Sequence, residues 1–270
     1  MSTRLRAIAR DTVAIVERGG YRTALGDEVA IAEQVARAVA GTRLYAPDDV
    51  VPGAAPVDAP ALVEVTDESS LSAAHRVGGE VACLVFASAR SPGGGFLNGA
   101  QAQEESIARS SALYSCLLSA EDFYAHHRTH PGPLYSDRVI YSPAVPVFRD
   151  DNGTLLAQPY PVSFLTAAAP NRTAILVDQP EHVAKIPAVL LRRASRILRI
   201  AAAHGHRRLV LGAWGCGVFG NEPAVVADVF GAALAKSPWF EHVVFAVLDG
   251  APGKPAVTAF RRRLAGGQPG

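Results

Sequence analysis

Two adjacent carboxylates, Glu104 and Glu105, follow three consecutive glycines, Gly93, Gly94 and Gly95, with seven residues and Gln103 between them. A carboxyl group can protonate a leaving oxygen and later take a proton from water. Glycine lets a backbone come close to a ligand, and successive N–H groups form a nest for an anion such as a phosphate. Together these features describe a phosphate-bearing substrate cut near its phosphate. Each has an ordinary reading by itself: a flexible loop, or glutamates complementing a helix dipole. A second glycine-rich stretch, Gly212-Ala213-Trp214-Gly215-Cys216-Gly217-Val218-Phe219-Gly220-Asn221, favours chemistry.

Both stretches need elements to hold them. Val81 to Phe86 is an apolar run that reads as a buried strand feeding the first loop. A helix is predicted from Gln103 to Leu118, with Ile107, Leu113, Leu117 and Leu118 at helical spacing. Arg208 to Leu211 is a second strand before the second loop, and Pro223 opens a helix over 224–235. The start of that helix adds N–H groups and partial positive charge near a phosphate. No Gly-Lys-Ser/Thr follows, so the loop is not a Walker loop.

The rest of the chain frames these units. Apolar spacing predicts helices over 5–18 and 27–40, stopped at Gly41, and Pro47 to Pro60 reads as a surface linker. A strand over 61–65 and a short helix ending at Val77 follow. Glu121 to Pro133 reads as an exposed connection; His126, His127 and His130 have no acidic or cysteine partner at metal-site spacing. Arg138 to Phe148 and Tyr160 to Ala167 read as a hairpin around Asp150-Asp151-Asn152-Gly153, both aspartates being turn residues. Ala168 to Asn171 is either a cleft wall or a plain loop. Val183 to Ala203 reads as a long helix with Arg192, Arg193, Arg196 and Arg199 on a solvated face, ended by Gly205. A strand over 242–248, a helix over 256–264 and a frayed tail over 266–270 complete the chain. Strands and helices alternate, so the class is α/β, a mixed sheet flanked by helices.

Among 270 residues, 26 basic and 25 acidic side chains leave a formal charge of +1, which argues against broad or sequence-specific nucleic-acid binding. No signal peptide or membrane-length apolar run is expected. Cys83, Cys116 and Cys216 are odd in number and widely spaced, which points to a reducing cytoplasm and against a cysteine metal site. Cys216 lies between two glycines, but no His or Asp stands where it would activate a thiol.

Gly93-Gly94-Gly95, seven residues and Gln103-Glu104-Glu105 resemble the signature of the poly(ADP-ribose) glycohydrolases, and more closely of the compact bacterial-type members built on a macrodomain. Tyr141-Ser-Pro-Ala-Val-Pro146, Ala168-Ala-Pro-Asn171 and Leu211 to Asn221 are similar as well, in the same order. The resemblance implies a macrodomain-like core over 61–270 with an N-terminal helical extension and linker over 1–60. It implies hydrolysis of the ribose–ribose O-glycosidic bond of poly(ADP-ribose) from chain ends, releasing ADP-ribose, without cofactor or metal. Glu105 would be the catalytic acid, then the base for water; Glu104 would orient ribose hydroxyls. Desolvation, Glu104 and the bound diphosphate would favour protonated Glu105, against the helix dipole. Gly93, Gly94, Gly95, Gly215, Cys216, Gly217 and Val218 would line the substrate site, with backbone N–H groups as a diphosphate cradle. Phe219 would pack on the terminal ribose, and Asn98 and Gln103 would join the substrate-binding set. A monomer with a part in the DNA damage response is implied. The residues leave open a macrodomain that only binds ADP-ribose, and a hydrolase freeing ADP-ribose from a nucleic-acid base or protein side chain.

Overall fold

Residues 2–264 are described by the computed structural model, so the tail at 266–270 lies outside the described residues. The Ser2 hydroxyl accepts the Leu5 N–H and caps helix α1 (Thr3–Arg18), and Gly19 ends it at φ +76°. Strands β1 (Gly20–Arg22) and β2 (Glu28–Ala30) form a small hairpin. Residues 28–30 are therefore strand rather than helix: Gly26 turns at φ +94° and the Thr23 hydroxyl takes the Asp27 N–H, which closes a hairpin. Helix α2 (Ala32–Gly41) follows, and Gly41 is its last residue rather than a stop beyond it.

Seven strands make the main sheet, in the order β3-β6-β7-β5-β8-β9-β4. They are β3 (Arg43–Tyr45), β4 (Leu62–Thr66), β5 (Val81–Phe86), β6 (Val139–Arg149), β7 (Leu155–Ala167), β8 (Arg208–Leu211) and β9 (His242–Ala246). β6 runs antiparallel to β3 and β7, and all other pairs are parallel. β5 is central. Its side chains alternate between two cores, Ala82 and Leu84 facing one and Val81, Cys83 and Val85 the other. Burial on both faces is why it is a continuous apolar run.

Helices α3 (Ser70–Val77), α4 (Gln103–Ser110), α5 (Leu113–Ser119) and α6 (Glu121–Thr129) come next in the chain. The single helix expected over 103–118 is broken at Ser111, which bridges to Val147 while the Ala112 N–H donates to Pro146 O at 3.1 Å. The strand takes the backbone groups that a continuous helix would need. The expected connection at 121–133 instead contains α6, which buries Phe123, Tyr124 and His127 beneath its polar face. The long helix expected from Val183 begins as a 3-10 turn, Pro180–Lys185, and then becomes α8 (Ile186–Ala203), with α7 (Arg172–Asp178) before it. Pro187 stands in the first turn of α8, and α9 (Pro223–Leu234) and α10 (Pro255–Leu264) close the layer.

The solvated arginine face of α8 is corrected at Arg193. This side chain is 0% exposed; it donates to the Ala168 and Leu134 carbonyls and pairs with Asp137. Burial lowers its pKa to about 10, against the pull of Asp137, so it stays charged at neutral pH. The N-terminal segment is part of the same architecture, since β3 is the sheet's edge strand. α1 packs Ala9 and Val13 on Phe96, Ala108 and Tyr114, beside the first glycine loop. Among the described residues no helix is long and apolar enough to cross a membrane.

Candidate active site

β5 and β8 are parallel neighbours, so both glycine loops leave the sheet at the same, carboxyl end, where ligands of such sheets bind. A cleft of about 710 Å³ opens there. Glu104, Glu105 and Ser88 line one wall, and Gly215, Cys216, Gly217, Val218 and Phe219 line the other. The ends of β4 and β9 extend it through Glu68, Leu71, Leu248 and Asp249.

Glu105 is half-buried, and its Oε1 accepts the Gly95 N–H at 3.0 Å. Its Oε2 has no hydrogen-bond partner among the described residues, which leaves it available to a ligand. Glu104 is 2% exposed; its Oε2 accepts the Ser88 N–H at 2.6 Å and its Oε1 is buried without a partner. Burial drives the Glu104 carboxyl well above the usual carboxylate range; the Ser88 N–H opposes this and the charge of Glu105 adds to it. Gly94, at φ +60°, lies between the pair. A Cβ there would stand 2.4 Å from Glu105 Oε1 and 3.1 Å from Glu104 Oε2. The two side chains, offset by about 100° on the helix, thus flank one glycine.

The first loop differs from the expected cradle. The Gly94 N–H donates to Ser91 O and the Gly95 N–H to Glu105, so neither is free for a diphosphate. Gly93, at φ +66°, packs against Phe96 and Ala108. The triple glycine seats the glutamates rather than lining the cleft. Asn98 is exposed at the end of the 3-10 turn Phe96–Asn98 and is not among the lining residues. Gln103 does line the cleft, but its amide is committed to the protein. It accepts the Phe86 N–H at 2.9 Å and donates to Leu84 O and the Ser70 hydroxyl at 2.7 and 3.0 Å. It is a brace that fixes α4 to the end of β5.

The second loop keeps the cradle role. The N–H groups of Gly215, Gly217, Val218 and Phe219 have no acceptor among the described residues. Asn221 holds the loop from below, donating to Gly215 O at 3.1 Å and Pro170 O at 2.8 Å. Ala169 packs behind Gly215, so the Ala168 to Asn171 segment supports the cleft wall instead of forming it. Trp214 is fully buried under the loop, its indole N–H bonded to Ala167 O at 2.9 Å. Burial pushes the Cys216 thiol to about 12, which keeps it protonated and a poor nucleophile. Phe219 lines the cleft, with its ring 5.8 Å from that of Tyr135.

Several lining residues were not singled out from the sequence: Ser88, Arg90, Tyr135, Glu68 and Asp249. Glu68 and Asp249 follow strand ends, a signal that was present; Tyr135 is held at φ +56° in a segment with no motif. Asp150 is a turn residue as expected, accepting the Asn152 and Thr154 N–H groups, whereas Asp151 also takes hydrogen bonds from Ser69 and Ser72 at the cleft edge. Among the described residues no group of three or more His, Cys, Asp or Glu side chains is placed to hold a metal ion.

Comparison with known proteins agrees with this geometry. The family model described as the catalytic domain of microbial-type PARG matches residues 9–150. The crystal structure of poly(ADP-ribose) glycohydrolase from Thermomonospora curvata is 53% identical, over 97% of this chain and 100% of that one, with a TM-score of 0.91. The Thermomonospora curvata structure bound to the inhibitor ADP-HPD is 54% identical over 97% and 100% of the two chains, with a TM-score of 0.90. Poly(ADP-ribose) glycohydrolase from Deinococcus radiodurans in complex with ADP-ribose is 45% identical over 87% of this chain and 98% of that one, with a TM-score of 0.81. No match was found among curated proteins. With a family match over more than half its length and whole-chain likeness at this identity, the chain belongs to the microbial-type poly(ADP-ribose) glycohydrolase family.

Proposed function

We propose that this chain hydrolyses the ribose–ribose O-glycosidic bond of poly(ADP-ribose) from chain ends and releases ADP-ribose. The observation that carries it is the free Glu105 Oε2 on one cleft wall, facing a wall whose loop N–H groups are also free. The N–H groups of Gly215, Gly217 and Val218 hold the terminal diphosphate, and Phe219 packs on the terminal ribose. Glu105 protonates the oxygen leaving the anomeric carbon, then takes a proton from the water that attacks the oxocarbenium-like centre. Glu104, neutral because it is buried, orients ribose hydroxyls and adds no second charge beside Glu105.

In this reading residues 61–270 are a macrodomain-like core, and residues 1–60 an extension that buttresses it through α1 and β3. The protein works as a monomer in the cytoplasm, within the DNA damage response, and reads no nucleic-acid sequence. Three unpaired cysteines suit that compartment.

The test is Glu105→Gln with purified protein and labelled polymer. Removing the general acid is expected to lower kcat about 10²–10⁴-fold while ADP-ribose still binds. The wild-type kcat should also fall on the basic side of its pH profile. Equal, negligible release of ADP-ribose by both proteins would make the chain a reader of ADP-ribose instead.

A further inference from the structure

The charge of the cleft does not match a polyanionic ligand. Its lining side chains include five carboxylates, Glu68, Glu104, Glu105, Asp151 and Asp249, and a single cation, Arg90. Arg90 is exposed, and its guanidinium has no ion pair or hydrogen-bond acceptor among the described residues. Its backbone is fixed, however: Arg128, itself paired with Glu121 on α6, donates to the Arg90 carbonyl at 3.1 Å. An unpaired cation on a pinned backbone, in an otherwise acidic cleft, has the character of an anion contact.

Its place along the cleft says which anion. Ser88, two residues earlier, holds Glu104. The α6 helix that pins Arg90 also carries His127, whose ring lies 5.7 Å from that of Tyr135, and Tyr135 neighbours Phe219. Arg90 is therefore at the glutamate end, remote from the Glu68 and Asp249 end. The terminal diphosphate has its donors in the second loop. The leaving oxygen, in turn, belongs to the next ADP-ribose unit, which brings a diphosphate of its own.

Resting on the reading above, we propose that Arg90 binds the diphosphate of the leaving unit and makes polymer a better substrate than ADP-ribose linked to an uncharged group. The test compares wild type with Arg90→Gln and Arg90→Glu on three probes: long poly(ADP-ribose), an aryl glycoside of ADP-ribose, and free ADP-ribose. For polymer, KM should rise about threefold to tenfold in Arg90→Gln and further in Arg90→Glu, with little change in kcat, as for one charge-assisted contact at an exposed site. The salt dependence of kcat/KM should flatten in the same variants. Turnover of the aryl glycoside and the Kd for ADP-ribose should each change less than twofold. Unchanged polymer KM, or a Kd for ADP-ribose weakened as much as the polymer KM, would overturn the assignment; the latter would place Arg90 on the terminal diphosphate. If wild type released no ADP-ribose from polymer, the activity itself would be refuted, a separate result.

Discussion

At the scale of single residues, the site depends on what Gly94 lacks. A Cβ would enter the space of Glu105 Oε1, and φ +60° adds strain for any L side chain. Gly94→Ala should displace the Glu105 carboxylate by a large fraction of an ångström and lower kcat about 100-fold, measured as ADP-ribose release, with the fold intact by circular dichroism. Glu104 gives a second prediction. It is neutral when folded and ionised in the unfolded chain at neutral pH, so folding takes up a proton. With the folded pKa raised, the stability it contributes is complete below about pH 4, its unfolded range, and is lost as pH rises toward the folded pKa. Glu104→Gln removes this dependence. Its urea midpoint should exceed that of wild type at pH 8, and the gap should close at about pH 4; a gap that widens on acidification would show Glu104 to be ionised in the fold.

Among the elements, the two strand–loop–helix units were legible because each is written in consecutive residues: an apolar run, glycines, then helical spacing. What escaped was whatever depends on partners distant in sequence. The break at Ser111 is dictated by β6, more than thirty residues away in the chain, and no local feature marks it. β3 is three residues long, Arg43–Tyr45, too short to show alternation, yet it completes the sheet edge. Gly94 and Gly95 promised open N–H groups, and only the folded loop shows them committed to Ser91 and Glu105. Arg193 is the sharpest case, a buried cation within an arginine-rich stripe, tying α8 to Ala168, Leu134 and Asp137. Arg193→Met would strand Asp137 and two carbonyls, costing about 3–5 kcal/mol. Arg192→Met, at an exposed pair, should cost less than about 1 kcal/mol. Urea unfolding of both variants checks the contrast.

The whole molecule is one sheet with a core on each face, and residues on both sides of position 60 belong to it. Tyr45 and Val51 sit in the core cluster that holds Trp214, while Ile15, Tyr21 and Val35 share the other with Cys83 and Val85. Alternation of strands and helices was enough to read the class; the sharing of cores between the N-terminal segment and the rest was not, because it is made of contacts across the chain. One feature of this arrangement gives the protein an optical readout of its own. The chain has two tryptophans, Trp214 and Trp239. The indole of Trp214 is sealed beneath the loop proposed to grip the diphosphate, so its emission wavelength and intensity are coupled to that loop's dielectric surroundings. In Trp239→Phe, titration with ADP-ribose should produce a saturable change in tryptophan fluorescence, and a flat trace under conditions where calorimetry detects binding would place the nucleotide away from this loop.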